Sequence, residues 1–173
     1  LKTIGVNAIL AQTINTCLAK RYQSKFFNIM ALIGRADNII EGKSYYLDEI
    51  QALLRIINSA ESEITTLCLL DEIFRGTNSL ERISASVETL LYLSRRNYVV
   101  FVTTHENEIT EYLGDTYNNY HFSEGIKENY GISFSYRLNK GASTTSNAIK
   151  LLRYIGYPEE ISNRAESRIK KKK

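Results

Sequence analysis

Thr66-Leu67-Cys68-Leu69-Leu70-Asp71-Glu72 is a short, unbroken apolar run that ends abruptly in two acids. A run of this length without polar alternation reads as a strand buried on both faces, the usual state of a strand inside a parallel sheet. Tyr98-Val99-Val100-Phe101-Val102 reads as a second buried strand, ending at Thr103-Thr104-His105. Between them Asn78 and Glu81 stand as an N-cap and its N3 partner. They open a helix with Ile83, Val87, Leu90 and Leu91 on one side. Strand, helix and strand at this spacing form a right-handed βαβ unit. The fold class that follows is α/β, a mainly parallel sheet flanked by helices.

Working outward, apolar spacing at Ile4, Ala8, Ala11 and Ile14/Cys17 predicts a first helix to about Leu18. Lys25 to Leu32 suits a strand. A turn with Gly34, Asp37 and Gly42 follows, then a helix with Leu47, Ile50, Leu54 and Ile57 on one face. Toward the other end, Asn119–Ser123 and Ile132–Leu138 alternate as an antiparallel hairpin does. A helix from about Thr145 to Ile155 stops at Gly156, and Pro158 starts the next at its first turn.

Composition sets outer bounds. The 173 residues suffice for one domain, and 43% hydrophobic with 24% charged residues is the balance of a globular chain. A net charge of +3 gives no basic field over the whole molecule, and Lys170 to Lys173 read as a solvated tail. Cys17 and Cys68 lie in apolar segments without His or Cys at metal-ligand spacing, so both read as buried free thiols of a reducing cytosol. No apolar run nears the roughly 20 residues of a membrane span, and no signal peptide is visible. The first residue is Leu1 and its sequence is already helical, so the chain is expected to be a fragment.

The chemistry concentrates where strands end, since ligands of open α/β sheets bind beyond the carboxyl ends of the strands. Asp71 and Glu72 either begin an ordinary loop or serve nucleotide hydrolysis. In the second case the first carboxylate holds Mg²⁺ through its water shell and the second orients or deprotonates the attacking water. His105 ends the neighbouring strand at the same edge. The zinc-protease pattern fails at His105-Glu106 because Ile109 stands where a second His is required. His121 has no partner that the sequence identifies. Ser44, after Gly42, is placed to cap the following helix; alone it is a capping serine, and with the free N–H groups of that helix it is also an anion site.

Taken together, these segments resemble the ATPase domain of the MutS family of DNA mismatch-repair proteins. Asp71-Glu72-Ile73-Phe74-Arg75-Gly76-Thr77-Asn78 is similar to that family's Walker B motif and D-loop, and Thr103-Thr104-His105 to its switch histidine. Asp37 to Glu49 resembles its ABC-type signature segment, Leu1-Lys2-Thr3-Ile4-Gly5 the residues directly after Walker A, and Ala11-Gln12 its Q-loop. Asn147 to Lys150 and Ile155 to Glu160 resemble its closing helix-turn-helix, a dimer contact.

The resemblance implies a P-loop NTPase of ABC type with a C-terminal helix-turn-helix, using ATP and Mg²⁺ as a homodimer. DNA would be bound through domains outside this chain, inside the cell and away from membranes. Residues 1–142 would be the ATPase core without its Walker A loop, and 143–173 the dimerisation segment with the lysine tail. Residue by residue, Asp71 would be the Mg²⁺-associated acid, Glu72 the catalytic base and His105 a γ-phosphate sensor. Gln12 would contact the metal or its water, Ser44 the γ-phosphate of the partner's ATP, and Asn78 the dimer seam. Two departures point to a divergent branch: Phe74 stands where the family carries Gly, and Tyr45-Tyr46 where it carries Thr-Phe. The rivals are another ABC motor, which would normally carry Leu-Ser-Gly-Gly where this chain has Glu41-Gly42-Lys43-Ser44, and a non-hydrolysing DNA clamp or dimerisation module acting in recombination control.

Overall fold

The computed structural model describes residues 1–34, 45–59, 63–127, 131–143 and 147–170. These fall into two compact units, Leu1–Tyr117 and Asn118–Lys173. The units part ahead of the hairpin, whereas the sequence reading divides the chain after it, at residue 142.

The first unit holds helix α1 (Lys2–Ile14), strand β1 (Asn28–Leu32), α2 (Tyr45–Asn58), β2 (Thr66–Asp71), α3 (Ser79–Ser94), β3 (Tyr98–Thr103) and α4 (Asn107–Leu113). Its strands form a parallel sheet in the order β1-β2-β3, with Asn28 beside Thr66 and Asp71 beside Thr103. Central β2 is buried from Thr66 to Leu70, as its unbroken apolar run requires. Because side chains alternate across a strand, its residues divide between two cores. Cys68 and Leu70 join Leu53, Ile56, Leu90 and Leu93 from α2 and α3 on one face, and Leu67 and Leu69 meet Ala8 of α1 on the other.

Three expectations are corrected. Helix α1 stops at Ile14, not Leu18: Asn15 turns left-handed (φ 52°), and the Leu18 amide donates to the side-chain oxygen of Asn7 at 2.6 Å, folding the chain back. The buried face of α2 carries Glu49, Ala52, Leu53 and Ile56, while Leu47 and Leu54 are about half exposed. Two overlapping apolar stripes fit that helix, and packing on the sheet selects the one containing a carboxylate. Strand β3 is only half-buried, with Phe101 40% exposed, because among the described residues it pairs on one side alone.

The Asn78 cap is as expected: its side-chain oxygen accepts from the Glu81 amide at 3.0 Å. The Glu81 carboxylate reaches back to the Thr77 hydroxyl instead of completing a reciprocal box with Asn78.

In the second unit, β4 (Tyr120–Lys127) and β5 (Gly131–Lys140) form the antiparallel hairpin, irregular between Phe122 and Glu124. His121, unassigned from sequence, places Nδ1 2.9 Å from the carbonyl of Gly141. Helices α5 (Ala148–Ile155) and α6 (Glu159–Lys170) follow. Gly156 ends α5 in the left-handed conformation (φ 93°) that glycine adopts without strain, and its amide and that of Tyr157 return to Arg153 and Leu152. Pro158 lies one residue ahead of α6, its carbonyl accepting from Ile161 at 3.0 Å. Arg153 of α5 ties the pair together by donating to Asn163 at 3.1 Å and Glu166 at 2.5 Å.

Candidate active site at the carboxyl edge of the sheet

The pairing of β2 with β3 delivers Asp71 beside Thr103, and the Thr103 hydroxyl donates to Asp71 Oδ1 at 2.5 Å. The ladder continues one residue further, where the Glu72 amide donates to the Thr103 carbonyl at 3.0 Å. At that point the backbone of Glu72 turns left-handed (φ 48°), and Phe74 repeats the turn (φ 62°). Such angles are uncommon for a residue with a Cβ. They break the strand and stand the Glu72 side chain at the sheet edge.

Glu72 is then held from two sides. Its Oε1 is 2.7 Å from His105 Nε2, and its Oε2 is 2.9 Å from Arg75 Nε. The other arm of Arg75 lies 3.6 Å from Asp71 Oδ2, so one guanidinium spans both carboxylates. The His105 ring is 89% exposed, which leaves it open to a ligand arriving at this edge. A cavity of about 250 Å³ opens beside it, walled by Glu72, Arg75, Thr104 and His105 and floored by Ser86 and Leu90 of α3. Arg82 of α3 pairs with Glu106 across the same cavity.

Asp71 with the Thr103 hydroxyl is a hard-oxygen donor set of the kind Mg²⁺ uses alongside water and phosphate. Among the described residues no three His, Cys, Asp or Glu side chains converge as a protein cage for a metal. Asp71 and Thr103 thus offer two oxygen donors at this edge, enough to hold Mg²⁺ if its other positions are filled from outside the protein.

Of the residues singled out from sequence, Asp71, Glu72 and His105 come together. Gln12 does not. Its amide is spent on the backbone of Phe27, accepting from the amide at 2.8 Å and donating to the carbonyl at 3.1 Å. Phe27 directly precedes Asn28, which pairs with Thr66, so Gln12 belongs to the amino edge of the sheet. Asp71 lies five residues further along β2, roughly 16 Å away at the usual strand rise of about 3.3 Å per residue. Gln12 therefore does not join Asp71, Glu72 and His105 in this structure. Asn78 is placed beyond the Glu72 turn, its side-chain oxygen capping α3. Ser44 lies outside the described residues.

Arg75, Thr103 and Glu49, not singled out from the sequence, join this cluster or the turn beneath it. Arg75 was legible in principle, because it stands three and four places after the acids. Glu49 was not, since a glutamate in a helical segment ordinarily faces water. Here it is 4% exposed, and its Oε1 accepts from the Phe74 amide at 2.5 Å. Burial pushes its carboxyl above the usual carboxylate range, against the opposing pull of the Phe74, Arg75 and Gly76 amides and the Arg75 charge.

The family model described as MutS domain V matches residues 1–173. The chain belongs to the MutS family. Relatives include the DNA mismatch repair protein MutS of Petrotoga mobilis, 29% identical over 171 residues, covering 96% of this chain and 20% of that protein. The MutS protein of Synechococcus elongatus is 30% identical over 177 residues, covering 99% of this chain and 20% of its own. The DNA mismatch repair protein MSH3 of Candida glabrata is 29% identical over 173 residues, covering 95% of this chain and 17% of its own. The chain thus spans about a fifth of the length of the curated relatives it matches. Among its described residues, no helix is long and apolar enough to cross a membrane.

Proposed function

We propose that this chain is the ATP-binding and ATP-hydrolysing domain of a MutS-like DNA mismatch repair protein that works inside the cell as a dimer on DNA. The observation that carries the reading is the Glu72 carboxylate held between Arg75 and His105 beside the Asp71–Thr103 pair. Helix α1 supports it. Gly5 packs against Leu69 while Gln12 meets Phe27, so α1 runs antiparallel to β2 and its N-terminus opens toward the same edge as Asp71. A helix N-terminus there suits the phosphates of a nucleotide in a P-loop fold of ABC type.

In this reading Asp71, with Thr103 fixing its carboxylate, holds Mg²⁺, which when bound neutralises charge on the phosphates. Glu72 accepts the proton of the attacking water, and Arg75 and His105 keep its two oxygens in place. His105, exposed beyond Glu72, reaches the γ-phosphate. Ser44, at the signature segment, completes the partner subunit's site, and Asn78 lies at the seam between subunits. The pair α5–α6 supplies a dimer contact, to which exposed Ile155, Tyr157 and Ile161 are suited.

The test is Glu72→Gln in the intact protein. Turnover is expected to fall about 10²–10⁴-fold, the usual cost of losing a positioned base, with ATP affinity nearly unchanged because Asp71 remains. Equal loss of binding and turnover would remove Glu72 from its role.

A further inference from the structure

The turn that presents Glu72 and Arg75 is an unfavourable piece of backbone. Two non-glycine residues, Glu72 (φ 48°) and Phe74 (φ 62°), are left-handed within three positions, and Phe74 is a bulky side chain in that region. Such a turn persists only when its surroundings hold it. Besides the Thr103 carbonyl that accepts from the Glu72 amide, two supports come from one helix, α2. The Glu49 carboxylate lies buried beneath the turn and accepts the Phe74 N–H at 2.5 Å. Three residues earlier, Tyr46 lies so close to Gly76 that a Cβ there would stand 2.7 Å from Tyr46 Cβ.

A carboxylate is an expensive group to bury, and packing does not ask for one, because its neighbours on that face are Ala52, Leu53 and Ile56. Among the described residues its second oxygen, Oε2, has no hydrogen-bond partner. The return for burying it is the hydrogen bond that pins Phe74. From this geometry we infer that Glu49 is a positioning residue: by holding the Phe74 amide it keeps the 72–76 turn in the conformation that sets Glu72 and Arg75 for hydrolysis. The inference rests on the catalytic role of Glu72 proposed above and adds that α2, the helix following Ser44 in sequence, bears directly on it. Movement of α2 would therefore reach Glu72 through the Glu49–Phe74 hydrogen bond and the Tyr46–Gly76 contact.

The test uses the intact protein with Glu49→Leu, Glu49→Gln and the double variant Glu49→Leu/Phe74→Gly. Steady-state turnover of Mg-ATP is measured together with hydrogen–deuterium exchange of the amides of residues 72–76. Glu49→Leu is expected to lower kcat by about 10- to 100-fold, the scale of a displaced catalytic group, with KM unchanged within about twofold. Phe74 exchange should rise in that variant. Glu49→Gln, whose amide oxygen still accepts from Phe74, should retain the larger part of the activity. Phe74→Gly should restore much of what Glu49→Leu loses, because glycine takes a positive φ without support.

A folded Glu49→Leu protein with wild-type kcat, equal losses for Leu and Gln, or no recovery by Phe74→Gly would each overturn the inference. Should Glu49→Leu not fold, the wild-type protein decides: a Phe74 amide exchanging as fast as an exposed one overturns it, and a protected amide upholds it. If Glu72→Gln keeps its turnover while Phe74 protection depends on Glu49, the catalytic assignment fails and the latch stands.

Discussion

Gly76→Ala is the sharpest probe of how closely α2 lies on the 72–76 turn. A methyl at Gly76 would sit 2.7 Å from Tyr46 Cβ, 0.7 Å inside the 3.4 Å where ordinary contact begins, and 2.9 and 3.0 Å from the Tyr46 ring atoms Cδ2 and Cγ. Tyr46 Cβ is fixed to the backbone, so no rotamer change relieves the clash, and α2 and the turn must separate. Overpacking of this kind costs about 1–3 kcal/mol. Gly76 does not have a positive φ, so alanine suffers no backbone strain and recovers about 0.4–1 kcal/mol by restricting the unfolded chain. The expected net loss is about 1–2 kcal/mol, at the middle of those opposing ranges. Gly5→Ala is the matched control. Its methyl would meet only Leu69 Cδ1, at 2.8 Å, the free end of a side chain, and alanine within α1 gains about 0.8–1 kcal/mol of helix propensity. The control should therefore lie within about 1 kcal/mol of wild type. Urea unfolding of the 173-residue chain compares the two variants directly. Gly76→Ala proving as stable as Gly5→Ala would refute the close docking of Tyr46 on the turn.

Asn78→Ala removes the side-chain acceptor for the Glu81 amide, and a loss of about 1 kcal/mol in the same unfolding experiment is expected for an N-cap; an unchanged midpoint would mean that α3 is not capped this way. Cys68 is fully buried and its thiol is pushed up to about 12 by that burial, so it should resist alkylation at pH 8 in the native protein while Cys17 reacts. Peptide-resolved mass spectrometry reads both sites, and rapid labelling of Cys68 would contradict the packing of β2.

Local sequence determined much of this protein. The run from Thr66 to Leu70 has no polar face, so it had to be a strand covered on both sides, and acids directly after it had to emerge at the sheet edge. Asn78 with Glu81, and Gly156 ahead of Pro158, mark helix ends through chemistry confined to a few residues. Asp71, Glu72 and His105 were legible for the same reason: each lies at or just past the end of a strand, and parallel pairing of adjacent strands brings such ends together.

Tertiary structure decided what depends on partners remote in sequence. Gln12 reads as a site residue until Phe27, fifteen positions away, takes both ends of its amide at the opposite edge of the sheet. The α2 sequence offers two apolar stripes, and only docking on the sheet buries the one with Glu49 and leaves Leu47 and Leu54 in water. The left-handed turn at Phe74 is invisible locally, because a phenylalanine has no preference for positive φ. It exists because a carboxylate twenty-five residues earlier is buried where the Phe74 amide can reach it. Periodicity and capping are properties of neighbouring residues, whereas a strained turn and a spent side chain are set by whichever distant groups the packed core brings against them.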